Sequence, residues 1–507
     1  MELEKILLDK FGYSSFRKGQ KEIIEDILLR KNVIAMLPTG GGKSLLYQFP
    51  AYLLEGIVIV VSPLLSLMED QVDQIRKFGE KRVVALNSFR SFEDKLAAIN
   101  HLHQYKFLFI SPEMFQNQSL MKKLQTMKIA LFVIDEAHCI SQWGFDFRPD
   151  YLKLSEVYRK LNKPQTLALT ATATNEVIEE MIDLLSLTKV KKHIHSVNRE
   201  NIALKIVNCE FLEDKFNQLL NYIDKLQSPG IVYCGTRRTC EELTNQLIEK
   251  GIKHVAYYHG GMELEQRILI QQQFLAGQIN LIICTSAFGM GINKPNVRFV
   301  IHYQYPANIE NYLQEIGRAG RDTLASIAIL LVNKKDHEFP LALIEDELPS
   351  QEQIKAFFTY LDHQQEHMIQ LDAVISNAWK MTFGFREPQW QFILNQLKDF
   401  GLIVENNLYI HKITNDIIGY LIKWVNKRQK IKITNLNFMR NYIQSKDCLR
   451  VMYLSIFNEN LVERPENCCH ICGINIEKYK KIDSLSTDKF TYHWEDDIRK
   501  KLGIGGG

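Results

Sequence analysis

No apolar run in these 507 residues approaches the ~18 that a membrane span needs, so the chain is not expected to cross a bilayer. The opening MELEKILLDKFG sets acids among its apolar residues and leads to no small-residue cleavage site, so a signal peptide is not expected. A formal net charge of +3 leaves no global basic field, and any nucleic-acid surface has to be local. There is no internal repeat, which argues against a solenoid or array, and no low-complexity tract beyond the loose Gly505-Gly506-Gly507. Asn293-Lys294-Pro295-Asn296 lacks the closing aspartate of an N-K-x-D guanine reader, so guanine specificity is not expected. What is there is a chain 46% hydrophobic, enough for roughly three separate cores, and it reads as cytoplasmic.

The chemistry is concentrated in two segments. Pro38-Thr39-Gly40-Gly41-Gly42-Lys43-Ser44 lies between the apolar run Val33 to Leu37 and a helical stretch from Leu45 to Tyr52. Glycines let the backbone curl until its N–H groups face phosphate oxygens, at the positive end of the helix. Lys43 can reach the terminal phosphates, and the Ser44 hydroxyl can hold Mg2+. Leu37 stands where the strict form of this loop has its first glycine. Asp135-Glu136-Ala137-His138 caps a second apolar run, Ile129 to Ile134, expected to be a buried parallel strand. Asp135 is the candidate metal carboxylate and Glu136 the candidate base for an attacking water. Together they predict hydrolysis of a nucleoside triphosphate.

From Val33 to Leu169, short apolar runs (57–61, 83–86, 107–110, 130–134, 166–169) alternate with helical stretches, and a second series (230–234, 254–258, 281–284, 297–302, 326–332) follows from Ile202. The alternation predicts two parallel sheets in tandem, with a nucleotide in the cleft between them. Beyond 340 the pattern turns helical. Trp390, Ile393, Leu394, Leu397 and Phe400 keep helical spacing, and Leu402 to Ile410 reads as a hairpin with Asn406-Asn407 at its middle. A winged-helix-like unit fits this stretch, and a plain helical linker fits nearly as well. The expected domains are 1–197, 198–340, 341–435, 436–485 and a tail, 486–507. Gln314, Arg318 and Arg321 fall at i, i+4 and i+7, one helical face, and an arginine delivered across the cleft would neutralise charge developing at the γ-phosphate.

These blocks, with FGYSSFRKGQ (11–20), VSPLLSLMEDQV (61–72), LTATAT (169–174), YHGGM (258–262) and YLQEIGRAGRD (312–322), closely resemble the RecQ family of DNA helicases in the second helicase superfamily. The resemblance implies two RecA-like motor domains, ATP as fuel, and 3′ to 5′ translocation on single-stranded DNA with unwinding at single/double-strand junctions. It further implies a place in DNA repair or recombination, alongside single-strand-binding and recombination proteins, and work as a monomer. It points to Arg321 as the finger, with Arg318 beside it, and to Gln20 as the reader of the adenine edge, assisted by Arg17. A glutamine amide has the donor and acceptor that adenine requires, although a surface glutamine would look the same.

The loop Ser141 to Asp150 carries Trp143, Phe145, Phe147 and Arg148. Each aromatic could stack on an unpaired base, at roughly 1–3 kcal/mol per base, or fold under as a core plug. In the family this loop links DNA sensing to hydrolysis, and His138 couples it to the nucleotide site. Backbone contacts are expected from Ser62, Ser66, Thr170, Thr236, Arg237, Thr285 and Ser286. Lys423, Trp424, Lys427, Arg428, Lys430 and Lys432 form a basic run that suits duplex phosphates or a solvated helix face equally well.

Of nine cysteines, five are scattered, while Cys448, Cys468, Cys469 and Cys472 form C-x19-C-C-x2-C. Four thiolates suit a closed Zn2+ site, which the family also has after its second motor domain. Cys469 is preferred over His470 as the fourth ligand, and a disulfide does not suit a reducing compartment. The family's usual wing and the HRDC domain beyond it look absent. Two rival functions remain at this point: an RNA helicase of the same superfamily, and a DNA-annealing scaffold in which hydrolysis only times release.

Overall fold

The computed structural model describes residues 2–63, 65–87, 91–141, 149–289 and 294–481. The first sheet contains β1 (Asn32–Met36), β2 (Ile57–Val61), β3 (Val83–Leu86), β4 (Phe107–Ile110), β5 (Ile129–Ile134), β6 (Thr166–Thr170) and β7 (Val190–Ile194), in the order β3-β4-β2-β5-β6-β1-β7. All its pairings are parallel. β2 (Ile-Val-Ile-Val-Val) and β4 (Phe-Leu-Phe-Ile) are unbroken apolar runs, and β1, β5 and β6 are buried along almost their whole length, because both faces of the sheet are covered. β7 reads Val-Lys-Lys-His-Ile with both lysines exposed; it closes the edge, where lysines discourage pairing with another chain.

The second sheet contains β8 (Ile202–Asn208), β9 (Gly230–Tyr233), β10 (Val255–Tyr258), β11 (Leu281–Cys284), β12 (Phe299–His302) and β13 (Ser326–Val332), also parallel, in the order β10-β11-β9-β12-β13-β8. Its pairing depends on a close approach: a Cβ on Gly230 would lie 2.0 Å from the Phe299 ring. These two sheets are the tandem RecA-like domains the alternation predicted.

The C-terminal region is mainly helical. Helix Gln351–Asp362, β14 (Met368–Gln370), helices Ala373–Thr382 and Glu387–Asp399, then β15 (Ile403–Val404) and β16 (Asn407–Tyr409) enclose a core of their own around Phe357, Trp379 and Trp390. The hairpin loop is Glu405-Asn406, with φ of 50° and 67°, so Asn407 is already in the strand rather than at the turn. Positive φ at both loop positions is the type I′ pattern, whose twist matches that of the flanking strands, and it falls one residue earlier than Asn406-Asn407. Trp424 stacks on Phe392 with ring centres 5.0 Å apart, a packing role, while Lys423, Lys427 and Lys430 are exposed.

Helix Asn415–Gln444 runs unbroken for thirty residues, so the boundary expected at 435 falls inside it. Its first half packs on that separate core through Leu421 and Val425. Its second half, through Leu436, Met439 and Tyr442, joins the core shared by both motor domains. The cysteine segment docks on the free edge of the second sheet: Leu204 N–H donates to the Cys468 carbonyl at 3.2 Å, and His470 N–H to Leu204 at 2.9 Å. Among the described residues no helix is long and apolar enough to cross a membrane.

Candidate nucleotide and nucleic-acid site

β1 and β5 are separated only by β6, so the loops after them emerge side by side at the carboxyl end of the sheet. The glycines there are sterically required. A Cβ on Gly41 would sit 2.9 Å from the Pro38 carbonyl, and one on Gly42 would meet the Gln20 amide at 2.4 Å. Gly40 and Gly42 have φ of 84° and 77°, conformations that side chains disfavour. The loop runs into helix Leu45–Ala51.

Lys43 Nζ lies 3.8 Å from Glu136 Oε1, and Glu136 N–H donates to Asp135 Oδ1 at 3.0 Å. Burial, then the neighbouring Glu136 carboxylate, push the Asp135 carboxyl above its ordinary range, with Lys43 pulling the other way. Two adjacent, part-buried carboxylates on the cleft wall favour a divalent cation, so the donor set Ser44, Asp135 fits Mg2+. His138 Nδ1 is 2.9 Å from Thr170 Oγ1 and 3.5 Å from Glu136 Oε2, joining the carboxylate segment to the end of β6.

From the second domain, Gln314, Arg318 and Arg321 enter the same cleft, whose volume is about 530 Å3. They do not share one helix: Ile309–Ile316 stops before Gly317, and both arginines lie in the turns that follow. Gly317 permits this, because its Cβ would approach Thr39 Cβ to 3.2 Å. Arg321 lies over the phosphate loop, its Cγ 3.1 Å from where a Gly40 Cβ would be. Burial, with Arg318 and Arg199 nearby, pushes it down to about 9. Arg318 donates to the Gly289 carbonyl. Gln314 Nε2 is buried without a hydrogen-bond partner, a donor still available to a ligand.

Gln20 departs from expectation. Its amide N donates to the carbonyls of Gly41 (3.2 Å) and Gly42 (3.1 Å), and its Oε1 accepts from Arg17 N–H (2.8 Å). Arg17 itself donates to Gly40 O. In this state the pair shapes the phosphate loop, and the amide atoms that would read adenine are already engaged.

The expected DNA contacts divide. Thr236 caps helix Arg237–Glu249, Arg237 is exposed, and Thr285 is half-buried. Thr170 and Ser62 are buried, Thr170 wholly, so neither is open to a strand here; strand-end hydroxyls are enclosed by the sheet's own loops. Trp143, Phe145, Phe147 and Arg148, and Asn293, lie outside the described residues.

The four clustered thiols converge. Ligand atoms of Cys448, Cys468, Cys469 and Cys472 all lie within 4.8 Å of one another, with Sγ···Sγ of 3.6 Å (448–468) and 3.5 Å (469–472). Tetrahedral zinc, with bonds of about 2.3 Å, needs sulfurs about 3.8 Å apart, so the set fits Zn2+. His470 Nδ1 instead accepts from Ile206 N–H at 3.4 Å. Arg199, between the two sheets, was passed over by sequence reasoning because it belongs to no periodic run.

Residues 17–181 match the DEAD/DEAH box helicase family and residues 214–323 the helicase conserved C-terminal domain. The chain is 40% identical over 505 residues to the probable ATP-dependent DNA helicase RecS of Bacillus subtilis (strain 168), covering 99% of this chain and 98% of that protein. It is 38% identical over 393 residues to ATP-dependent DNA helicase RecQ of the same organism, covering 76% of this chain and 65% of that one. Among solved structures, Saccharomyces cerevisiae Dbp5 bound to RNA and ADP BeF3 superposes with a TM-score of 0.54 at 20% identity, over 68% of this chain and 90% of that one. Mycobacterium smegmatis Lhr bound to ssDNA and AMP-PNP gives 0.55 at 18%, over 79% and 57%. At those identities the likeness concerns the fold alone.

Proposed function

Since the chain belongs to the RecQ family of ATP-dependent DNA helicases, we propose that it hydrolyses ATP to move 3′ to 5′ along single-stranded DNA and separate duplexes at junctions. The observation that carries this reading is the convergence of Lys43, Asp135 and Glu136 from one sheet with Gln314, Arg318 and Arg321 from the other on one cleft.

Mg2+, held by Ser44 and Asp135, would neutralise charge on the phosphates. Lys43, now beside Glu136, is long enough to turn to the phosphates, leaving the Glu136 carboxylate to accept a proton from water. The water oxygen attacks the γ-phosphorus, the bond to the ADP oxygen breaks, and Arg321 stabilises the charge on the transferring group. Because that arginine comes from the second domain, hydrolysis and domain closure are linked. His138, bridging Glu136 and Thr170, suits a relay between this chemistry and the loop carrying Trp143 and Arg148.

Cys448, Cys468, Cys469 and Cys472 are read as ligands of a structural Zn2+, and the unit built on β14, β15 and β16 as winged-helix-like, from its helix–strand–helix–helix–strand–strand order. A role in repair or recombination, in the cytoplasm and as a monomer, follows the family. The test is ATP hydrolysis with and without single-stranded DNA. The parent should be stimulated by DNA, and Lys43→Ala should be inactive while still binding DNA; a Lys43→Ala chain that hydrolyses like the parent would refute the site.

A further inference from the structure

Arg199 lies between β7 and β8, in the segment joining the two motor domains. Its Nη1 donates to Thr39 O and Gly317 O, both at 2.9 Å, and its Nη2 to Ala319 O at 3.0 Å and Gly320 O at 2.7 Å. Thr39 belongs to the phosphate loop of the first domain. The three glycine and alanine carbonyls belong to the second, in the turn that ends at Arg321. One guanidinium thus spans the cleft with four hydrogen bonds, all to backbone carbonyls. Only a planar fork with several fixed donors can do this; an ammonium cannot reach both sides in one geometry.

We propose that Arg199 is a positioning residue for hydrolysis, holding the phosphate loop and the finger-bearing turn at the separation that places Arg321 over the nucleotide. It touches none of the reacting atoms. Its effect depends on closure, because Nη1 can serve Thr39 O and Gly317 O together only while the two domains are close.

Arg199 is itself anchored from behind. Its carbonyl accepts from Nη1 of Arg450 at 3.0 Å, and Arg450 also donates to Asn198 Oδ1 (2.5 Å), Ile202 O (2.6 Å) and Cys468 O (3.3 Å). Arg450 is almost wholly enclosed, at 1% exposure. A continuous hydrogen-bonded path therefore leads from the cysteine module to the phosphate loop, and the closed geometry of the motor is fixed partly from outside it.

This role rests on the reading of the cleft as an ATP hydrolase, so the first comparison is the purified full-length parent against Lys43→Ala. Arg199→Lys, Arg199→Ala, Arg321→Ala and the double variant Arg199→Ala/Arg321→Ala are then assayed for hydrolysis at saturating single-stranded DNA. Binding of a fluorescent non-hydrolysable ATP analogue and thermal unfolding are followed alongside. Arg199→Lys should fold and bind the analogue within about threefold of the parent, while kcat and kcat/KM fall together, about tenfold or more. The double variant should lose no more than Arg321→Ala alone, because both act through one group. Parental kcat in Arg199→Lys, a change confined to KM, or losses that multiply in the double variant would each overturn the role while leaving the function intact. A parent that does not hydrolyse ATP would overturn both.

Discussion

Replacing Arg321 by methionine should make the nucleotide-free protein more stable and nearly inactive. Burial and the neighbouring arginines hold its guanidinium at about 9 rather than 12.5. At about 1.4 kcal/mol per unit, keeping the charge in the fold costs about 5 kcal/mol. Part of the side chain still faces the cleft, where water screens it, so about half of that is expected to be recovered. The sign follows from linkage. A base whose folded value lies below its unfolded value destabilises the fold at every pH below that folded value, and the cost fades only as pH rises through about 9 toward 12.5. At pH 7 the cost is fully present. Methionine keeps the apolar stem and removes the charge. A gain of about 2 kcal/mol corresponds to a Tm rise of about 4–8 °C for a unit of 150–250 residues. The same change should lower hydrolysis by about a thousandfold or more, the typical worth of an arginine finger. Calorimetry without nucleotide and phosphate release with ATP measure the two effects separately. An unchanged or lower Tm in a natively folded variant would refute the burial argument, and hydrolysis within about tenfold of the parent would refute the finger.

Other consequences can be checked directly. Cys469→Ala should lose the one zinc per chain measured by a colorimetric chelator, and His470→Ala should keep it; the reverse would exchange the fourth ligand. Trp143→Ala should keep basal hydrolysis and lose most DNA stimulation, and equal stimulation would remove the sensor role. Gly230→Ala should cost about 1–3 kcal/mol through its clash with Phe299, read as a lower denaturation midpoint, with Phe299→Leu restoring part of it.

The legible parts of the fold were those governed by short-range patterns. Strands buried on both faces, such as Ile57–Val61 and Phe107–Ile110, declare themselves as unbroken apolar runs. β7 did not, because an edge strand facing solvent can be Val-Lys-Lys-His-Ile and has no apolar signature. Lys43, Asp135 and Glu136 could be placed in the cleft from sequence because loop chemistry fixes their types and order. Arg318 and Arg321 reach it too, but through turns that Gly317 and Gly320 allow rather than along the helical face their spacing suggested. Thr170 and Ser62 looked like contacts for a DNA backbone from residue type, yet burial is a property of the assembled sheet. Arg199 gave no signal at all. Its partners are backbone carbonyls, which every residue has, and only the tertiary fold selects which four it meets.

The most direct test of this motor is ATP-driven strand separation of a short DNA duplex with a 3′ tail, beside 5′-tailed and RNA-tailed duplexes. Only the 3′-tailed DNA should be unwound, and Lys43→Ala should abolish this. DNA-stimulated hydrolysis with no strand separation on any tail, or a preference for the RNA tail, would contradict the proposed function.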